Sequence, residues 1–263
     1  MLENNIPDHL KADCALLFQA VREAGAIGQA LAKQAVKRWS KPDGSTVTEA
    51  DITIDSFLNE RLMAARPDYG WLSEETPDTP DRLTKQRLWI VDPIDGTNSF
   101  VNGTQGWCIG AALTENGKPI LAALFQPVPN LFYAAAVGCG TFCNDDAAHP
   151  YDGGGFAGAR LLGTGRALKI LPGISAEPSP QIPLLLRLAH VASGKADIAL
   201  SLGMRNDWDL AAGDLLVREA GGIVTQSDGL PMVYNQPLAK QNGLLAAGKN
   251  RHRAVLAQLE KNL

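Results

Sequence analysis

Asp92 and Asp95 stand three residues apart beside a Gly-Thr turn, in the segment Trp89-Ile90-Val91-Asp92-Pro93-Ile94-Asp95-Gly96-Thr97. Residues 88–91 form a short apolar run that reads as a covered strand. Pro93 is expected to end that strand, because proline cannot donate to a ladder. The two carboxylates flank the bend and can point at one place. Gly96 and Thr97 would offer backbone N–H groups at the start of a helix expected from Asn98, and such a terminus favours an anion. Hard oxygen ligands beside an anion nest suggest a divalent cation holding a phosphate. A solvated Asp-rich turn is the competing reading of this segment taken alone.

Further acids lie at other element boundaries: Asp51, the pair Glu74-Glu75, and Asp209 within Asn206-Asp207-Trp208-Asp209. An isolated acid in such a place is usually a cap or a solvated turn. Asp51 has that role ready, because Thr48 and Asp51 fit a capping box. Glu74 and Glu75 close a strand read over residues 71–76. Neighbours on a strand point to opposite faces, so one of the two can face a site. Lys41 sits in a polar, turn-rich loop and reads as a solvated lysine. Asp51, Glu74, Asp92, Asp95 and Asp209 taken together, around a Gly-Thr turn, begin to look like a two-cation phosphate site.

The elements that must position these groups can be read in outline. Residues 8–37 carry an apolar stripe through Leu10, Leu17, Ala24 and Leu31, which predicts a helix, with Gly25 and Gly28 marking close approach to a neighbour. A second helix follows Thr48 and stops before Pro67. Asn116-Gly117 between two apolar runs predicts a hairpin. The run at residues 131–137 predicts a further strand, so this half should hold an antiparallel sheet. Glycines between residues 138 and 155 loosen the chain and place a boundary between lobes there. Beyond it, strands at residues 160–162, 197–202, 223–225 and 244–247 alternate with helices at 184–193, 206–220 and 251–259. That alternation predicts an α/β lobe with a mixed sheet. Residues 172–183 hold four prolines and read as an irregular loop.

A chain of 263 residues suffices for one large domain or two packed lobes. The net charge of −4 argues against a nucleic-acid polymer as partner, since such partners need a basic surface. A small anionic substrate is compatible with it, because a bound cation inverts the local field. No secretory leader or membrane span is expected from the sequence pattern. Cys14, Cys108, Cys139 and Cys143 match no zinc spacing and are read as reduced thiols of a cytoplasmic protein.

With these residues in view, the sequence resembles the inositol monophosphatase superfamily of lithium-sensitive, magnesium-dependent phosphatases. The resemblance covers nearly the whole chain. Its pieces fall in the family order: Asp51, Glu74-Glu75, Asp92-Pro93-Ile94-Asp95-Gly96-Thr97, then Trp208-Asp209 followed by Gly221-Gly222. It implies a layered αβαβα sugar-phosphatase fold, with an N-terminal α+β lobe over residues 1–140 and a C-terminal α/β lobe over 141–263. It implies two or three Mg²⁺ ions, with Glu74, Asp92 and the Ile94 carbonyl at a first and Asp92, Asp95 and Asp209 at a second. Asp95, Gly96 and Thr97 would meet the phosphate. Asp51, Thr97 and Glu74 would be catalytic, the Thr97 hydroxyl acting on the attacking water with Asp51 orienting it. Glu75 is left as a structural acid. The resemblance also implies inhibition by Li⁺ and is compatible with a homodimer.

The implied substrate is a small phosphate monoester. Gly117-Lys118-Pro119-Ile120-Leu121 and Asp207-Trp208-Asp209-Leu210-Ala211-Ala212-Gly213-Asp214 look like bacterial 3′-phosphoadenosine-5′-phosphate phosphatases. Asn98-Ser99-Phe100-Val101-Asn102-Gly103 looks like inositol monophosphatases. The order of expectation is therefore 3′-phosphoadenosine 5′-phosphate, then inositol monophosphate, then histidinol phosphate. A regulatory binding protein on the same fold is the alternative of a different class. The family builds substrate contacts between residues 143 and 183, where this chain is shorter than many relatives. Arg166, Arg187, Lys195 and Arg205 are the cations available for a second phosphate, each read first as a surface charge.

Overall fold

Thr48 decides where the second helix of the chain begins. In the computed structural model, which describes residues 5–42, 44–163, 165–171, 173–174 and 182–262, its side chain accepts from the N–H groups of Ala50 and Asp51. The Asp51 carboxylate returns the bond to the Thr48 N–H, completing a capping box. The helix that follows, α2 (Glu49–Ala65), buries Ile54, Leu58 and Leu62 and ends before Pro67.

The first helix, α1 (Asp8–Leu31), buries Leu10, Leu17 and Ala24 as the stripe predicts, but it stops six residues short of Lys37. The Leu31 carbonyl takes the Gln34 N–H in a turn. The chain then forms β1 (Arg38–Ser40), which pairs antiparallel with β2 (Thr46–Thr48). Part of this hairpin was expected as loop. All three residues of β1 are exposed, so no in-out alternation marks them as a strand. Side chains at Gly25 and Gly28 would collide with Phe125 and Trp107, which explains why small residues interrupt the apolar face of α1.

Seven strands form the first sheet, in the order β3 (Gly70–Ser73), β4 (Arg87–Asp95), β5 (Cys108–Glu115), β6 (Lys118–Gln126), β7 (Leu131–Ala136), β8 (Gly140–Cys143) and β9 (Asp146–Ala147). Every neighbouring pair is antiparallel except β3 and β4, which run parallel. Alternate side chains go to opposite faces, as the strand period of two requires. Trp89, Val91, Ile109 and Ala111 pack on α1 and α2, while Leu88, Ile90, Cys108 and Ala112 pack against α5 (Leu184–Ala192) and α6 (Ala211–Glu219).

A second sheet lies beyond α5 and α6. Its order is β10 (Leu161–Gly163), β11 (Ile198–Asn206), β13 (Lys240–Gly248), β12 (Gly222–Thr225), and only β10 and β11 are parallel. Its other face is covered by α4 (Gly165–Ile170) and α7 (Lys249–Leu259) through Leu161, Ala167, Ile198, Leu245 and Val255. The layers are thus helix, sheet, helix, sheet, helix, the αβαβα arrangement the resemblance implied. Among the described residues no helix is long and apolar enough to cross a membrane.

Two boundaries differ from the sequence reading. The strand β4 does not end at Pro93 but runs to Asp95. Its pairing passes from Asp92–Gly110 to Asp95–Cys108, so one extra residue sits on β4. Pro93 lies in that bulge, where an absent N–H costs the ladder nothing. The helix α6 begins at Ala211 rather than Asn206, because β11 keeps its pairing with β13 as far as Asn206–Lys240. Neither Asn206 nor Asp207 caps it by a side chain. Most of the Pro-rich loop read over residues 172–183 lies outside the described residues.

Candidate active site

The bulge at the end of β4 aims Asp92 and Asp95 toward one end of the sheet. Gly96 follows with φ +100°, and a Cβ there would stand 2.6 Å from the Gly106 carbonyl oxygen. Only glycine meets both demands. The short helix α3 (Thr97–Val101) starts immediately, with Ser99 and Phe100 donating to the Gly96 carbonyl. A cavity of about 520 Å³ opens at this point. Glu74 from the end of β3, Asp92, Ile94 and Asp95 from β4, Gly96 and Thr97 from α3, and Asp209 from the β11–α6 turn all line it. Asn98, Ser99, Asn102 and Thr104 add polar groups that sequence spacing did not single out.

Three of the lining acids, Glu74, Asp95 and Asp209, are tethered by hydrogen bonds. The N–H of Leu185, in the first turn of α5, donates to Asp95 Oδ2 at 2.6 Å. Asn206 donates its backbone N–H to Asp209 Oδ2 at 3.1 Å. Lys41 Nζ donates to Glu74 Oε1 at 2.8 Å and to Glu75 Oε1 at 2.7 Å. This corrects two expectations. Lys41 is not a solvated loop lysine, because the β1–β2 hairpin folds it over the acids. Glu74 and Glu75 do not diverge onto opposite faces, because β3 ends at Ser73 and both reach the same ammonium. No local pattern announces Lys41, since its partners lie more than thirty positions away.

Asp51 stands behind Thr97, fully buried, and does not line the cavity. Its Oδ2 accepts from the Thr48 N–H at 2.8 Å and the Thr48 hydroxyl at 2.5 Å. Its Oδ1 accepts from the Thr97 hydroxyl at 2.9 Å. Capping and contact with Thr97 therefore coexist, one carboxylate oxygen serving each. Burial pushes the Asp51 carboxyl up, and the bonds from Thr48 and Thr97 oppose that push.

The electrostatics of the cavity are those of crowded acids. Asp92 is 1% exposed, and burial first, then Glu74, Asp95, Asp209 and Asp51, hold its carboxyl well above the usual range. Its Oδ1 is buried without a hydrogen-bond partner. Burial and the Asp209 charge push Asp95 up to about 8, and burial and Glu74 push Asp209 up to about 6. Burial raises Glu75 to about 7 against the pull of Lys41.

An orphaned carboxylate oxygen among four other acids is a place for positive charge. Among the described residues no three His, Cys, Asp or Glu side chains close into a ready-made metal cluster. That is compatible with Mg²⁺, which keeps several waters and takes one or two carboxylates together with substrate phosphate rather than a closed protein cage.

The four cations singled out in the sequence separate. Arg187 and Arg205 line a second cavity, of about 280 Å³, whose wall also includes Pro183 and Asp209 of the first. Arg166 is exposed on α4, and Lys195 donates to the Tyr133 hydroxyl at 3.0 Å; neither lines either cavity.

Comparison with known proteins adds independent information. The sequence pattern described as the inositol monophosphatase family matches residues 10–263. The chain is 29% identical to the 3′(2′),5′-bisphosphate nucleotidase CysQ of Aggregatibacter actinomycetemcomitans, over 87% of this chain and 88% of the relative. It is 30% identical to the inositol-1-monophosphatase of Mesorhizobium japonicum, over 96% of this chain and 98% of the relative. The crystal structure of the extragenic suppressor protein suhB from Bartonella henselae superposes with a TM-score of 0.85 at 25% identity, covering 96% of this chain and all of that one.

Proposed function

The chain belongs to the inositol monophosphatase family of phosphatases, and from that premise we propose that it is a Mg²⁺-dependent hydrolase whose leading substrate is 3′-phosphoadenosine 5′-phosphate. The observation that carries the metal-dependent reading is the unpartnered, buried Oδ1 of Asp92 among acids. Glu74, Asp92 and the Ile94 carbonyl would hold a first ion, and Asp92, Asp95 and Asp209 a second. Bound there, the ions would neutralise the phosphate, acidify the attacking water and stabilise the leaving oxygen.

The protein's own groups then have defined work. The α3 N-terminus, at Gly96 and Thr97, receives the phosphate oxygens with backbone N–H groups. The Thr97 hydroxyl sits between Asp51 Oδ1 and the wall of the cavity. It accepts a hydrogen bond from the attacking water and passes its own proton's orientation to Asp51, which fixes the lone pair toward the water. Glu74 lines the same cavity as Thr97 and would be a further acid toward the water or the first ion. Lys41 supplies a positive charge beside Glu74 and Glu75.

Substrate choice rests on the CysQ-like stretches at residues 117–121 and 207–214 and on the similarity to a bisphosphate nucleotidase. The similarity to an inositol-1-monophosphatase supports inositol monophosphate as the second reading. Phosphate release from 3′-phosphoadenosine 5′-phosphate, inositol monophosphate and histidinol phosphate, each with and without Mg²⁺, tests both. Release from none of them would leave the non-catalytic binding protein standing.

A further inference from the structure

The segment that carries Glu74 and Glu75 leaves the sheet just before them. β3 ends at Ser73, and the Glu74 N–H makes one further bond, to the Val91 carbonyl at 3.3 Å. Residues 75–79 then belong to no strand or helix, so the ladder does not set the direction of these side chains. What holds the turn comes from α2. Asp55, 6% exposed, lies one helical turn beyond Asp51, and residues four apart share a helix face. Its Oδ1 accepts a hydrogen bond from the Ser73 hydroxyl, and its Oδ2 accepts one from the Thr76 hydroxyl at 2.5 Å. Ser73 and Thr76 bracket the two glutamates. The indole N–H of Trp71 donates to the same Thr76 oxygen at 3.2 Å and closes the turn from its other end.

α2 therefore presents two carboxylates to two chain ends. Asp51 holds the Thr97 hydroxyl after β4, and Asp55 holds the hydroxyls on either side of the glutamates after β3. α2 packs on both strands, which run parallel with Ser73 opposite Val91. One helix thereby sets the spacing between Glu74 on one chain end and Asp92 and Thr97 on the other.

We propose that Asp55 is a positioning residue: through Ser73 and Thr76 it aims Glu74 into the cavity, so that a divalent cation meets acids already in place. The proposal rests on the metal-dependent reading above and adds a residue outside the cavity wall on which cation affinity depends. A carboxylate suits the role, because its two oxygens accept from two donors at once. A turn that had to be ordered on binding would subtract its lost freedom from the affinity. A rival account makes Asp55 a staple of the fold alone. Its loss would then lower the melting temperature and leave the cation affinity of the folded protein unchanged.

The test titrates Mn²⁺, which takes the same oxygen ligands as Mg²⁺, and reads the free ion by electron paramagnetic resonance. The temperature is one at which melting curves show each variant folded. Asp55→Ala should weaken the tightest Mn²⁺ site by about tenfold or more, the scale of losing a partner that orients a metal ligand. Asp55→Asn, which keeps one acceptor, should fall between it and wild type. Thr76→Val, which keeps the shape and loses one donor, should also weaken binding, and adding it to Asp55→Ala should change little. Hydrogen exchange in EDTA gives a metal-free measure: the peptide covering residues 74–79 should exchange faster in Asp55→Ala, while β4 keeps its protection. If Asp55→Ala fails to fold, Thr76→Val, at a half-buried position, carries both measurements. Unchanged Mn²⁺ affinity in a folded variant, or unchanged exchange over residues 74–79, overturns the positioning role. If wild type binds no Mn²⁺, the metal-dependent reading falls separately. Exchange then decides whether Asp55 holds the turn: faster exchange supports it and equal rates overturn it.

Discussion

Replacing Asp95 by Asn should stabilise the metal-free protein at neutral pH while weakening its grip on cations. Asp95 has a folded-state pKa of about 8 against 3.8 for the free carboxyl, raised by burial first and by Asp209 second. A raised acid pKa means the folded chain holds a proton that the unfolded chain has released. Its stabilising contribution is complete below about pH 4 and is lost as pH rises toward 8. Between pH 5 and 7 the loss runs at about 1.36 kcal/mol per pH unit, hence about 2–3 kcal/mol. Asparagine keeps an acceptor for the Leu185 N–H and removes the charge. The melting temperature of Asp95→Asn, measured in EDTA by calorimetry, should therefore gain on wild type by about 5–10 °C over that pH interval, at about 2–4 °C per kcal/mol for a chain of this size. Taking the difference between the two proteins cancels other titrating groups, such as His252, which burial lowers to about 4. Saturating Mg²⁺ should narrow the gap, since a ligand at a hundred times its Kd adds about 2.7 kcal/mol to the protein that binds it. Parallel melting curves across pH 5–7 would refute the reasoning, because they would mean that Asp95 is not crowded by acids.

Asp92→Asn should fold and cut turnover by at least about a hundredfold, since several kcal/mol of charge stabilisation passes through that carboxylate; near-normal kcat at saturating Mg²⁺ would remove it from the machinery. Thr97→Ala and Asp51→Asn should combine non-additively in kcat, the double variant being little worse than the worse single one. Only Asp51→Asn should also lower thermal stability, by about 1 kcal/mol, because only Asp51 belongs to the capping box. Li⁺ titrated at fixed Mg²⁺ should depress phosphate release by displacing an ion near Asp209, and a flat rate at high Li⁺ would mean that this ion site is altered.

The hairpin at Asn116-Gly117, the capping box at Thr48 and Asp51, and the buried strand before Asp92 were legible because each is written in adjacent residues. The ordered acids, from Asp51 to Asp209, were legible as a family pattern through their order along the chain. What the sequence could not decide was which charges meet. Lys41 lies in a loop with no periodicity, and only the pairing of Arg38–Ser40 with Thr46–Thr48 carries it to Glu74 and Glu75. Pro93 reads locally as a strand end, yet a bulge absorbs it and lets β4 deliver both Asp92 and Asp95. The divergence expected of Glu74 and Glu75 held only for residues still inside a strand. Arg187 and Arg205 looked no different from Arg166 and Lys195, because burial and shared walls are properties of packed layers rather than of neighbours in the chain. Local rules determined the elements and the kinds of chemistry at their ends, and tertiary packing alone determined which of those ends share a cavity and which charges lose their water there.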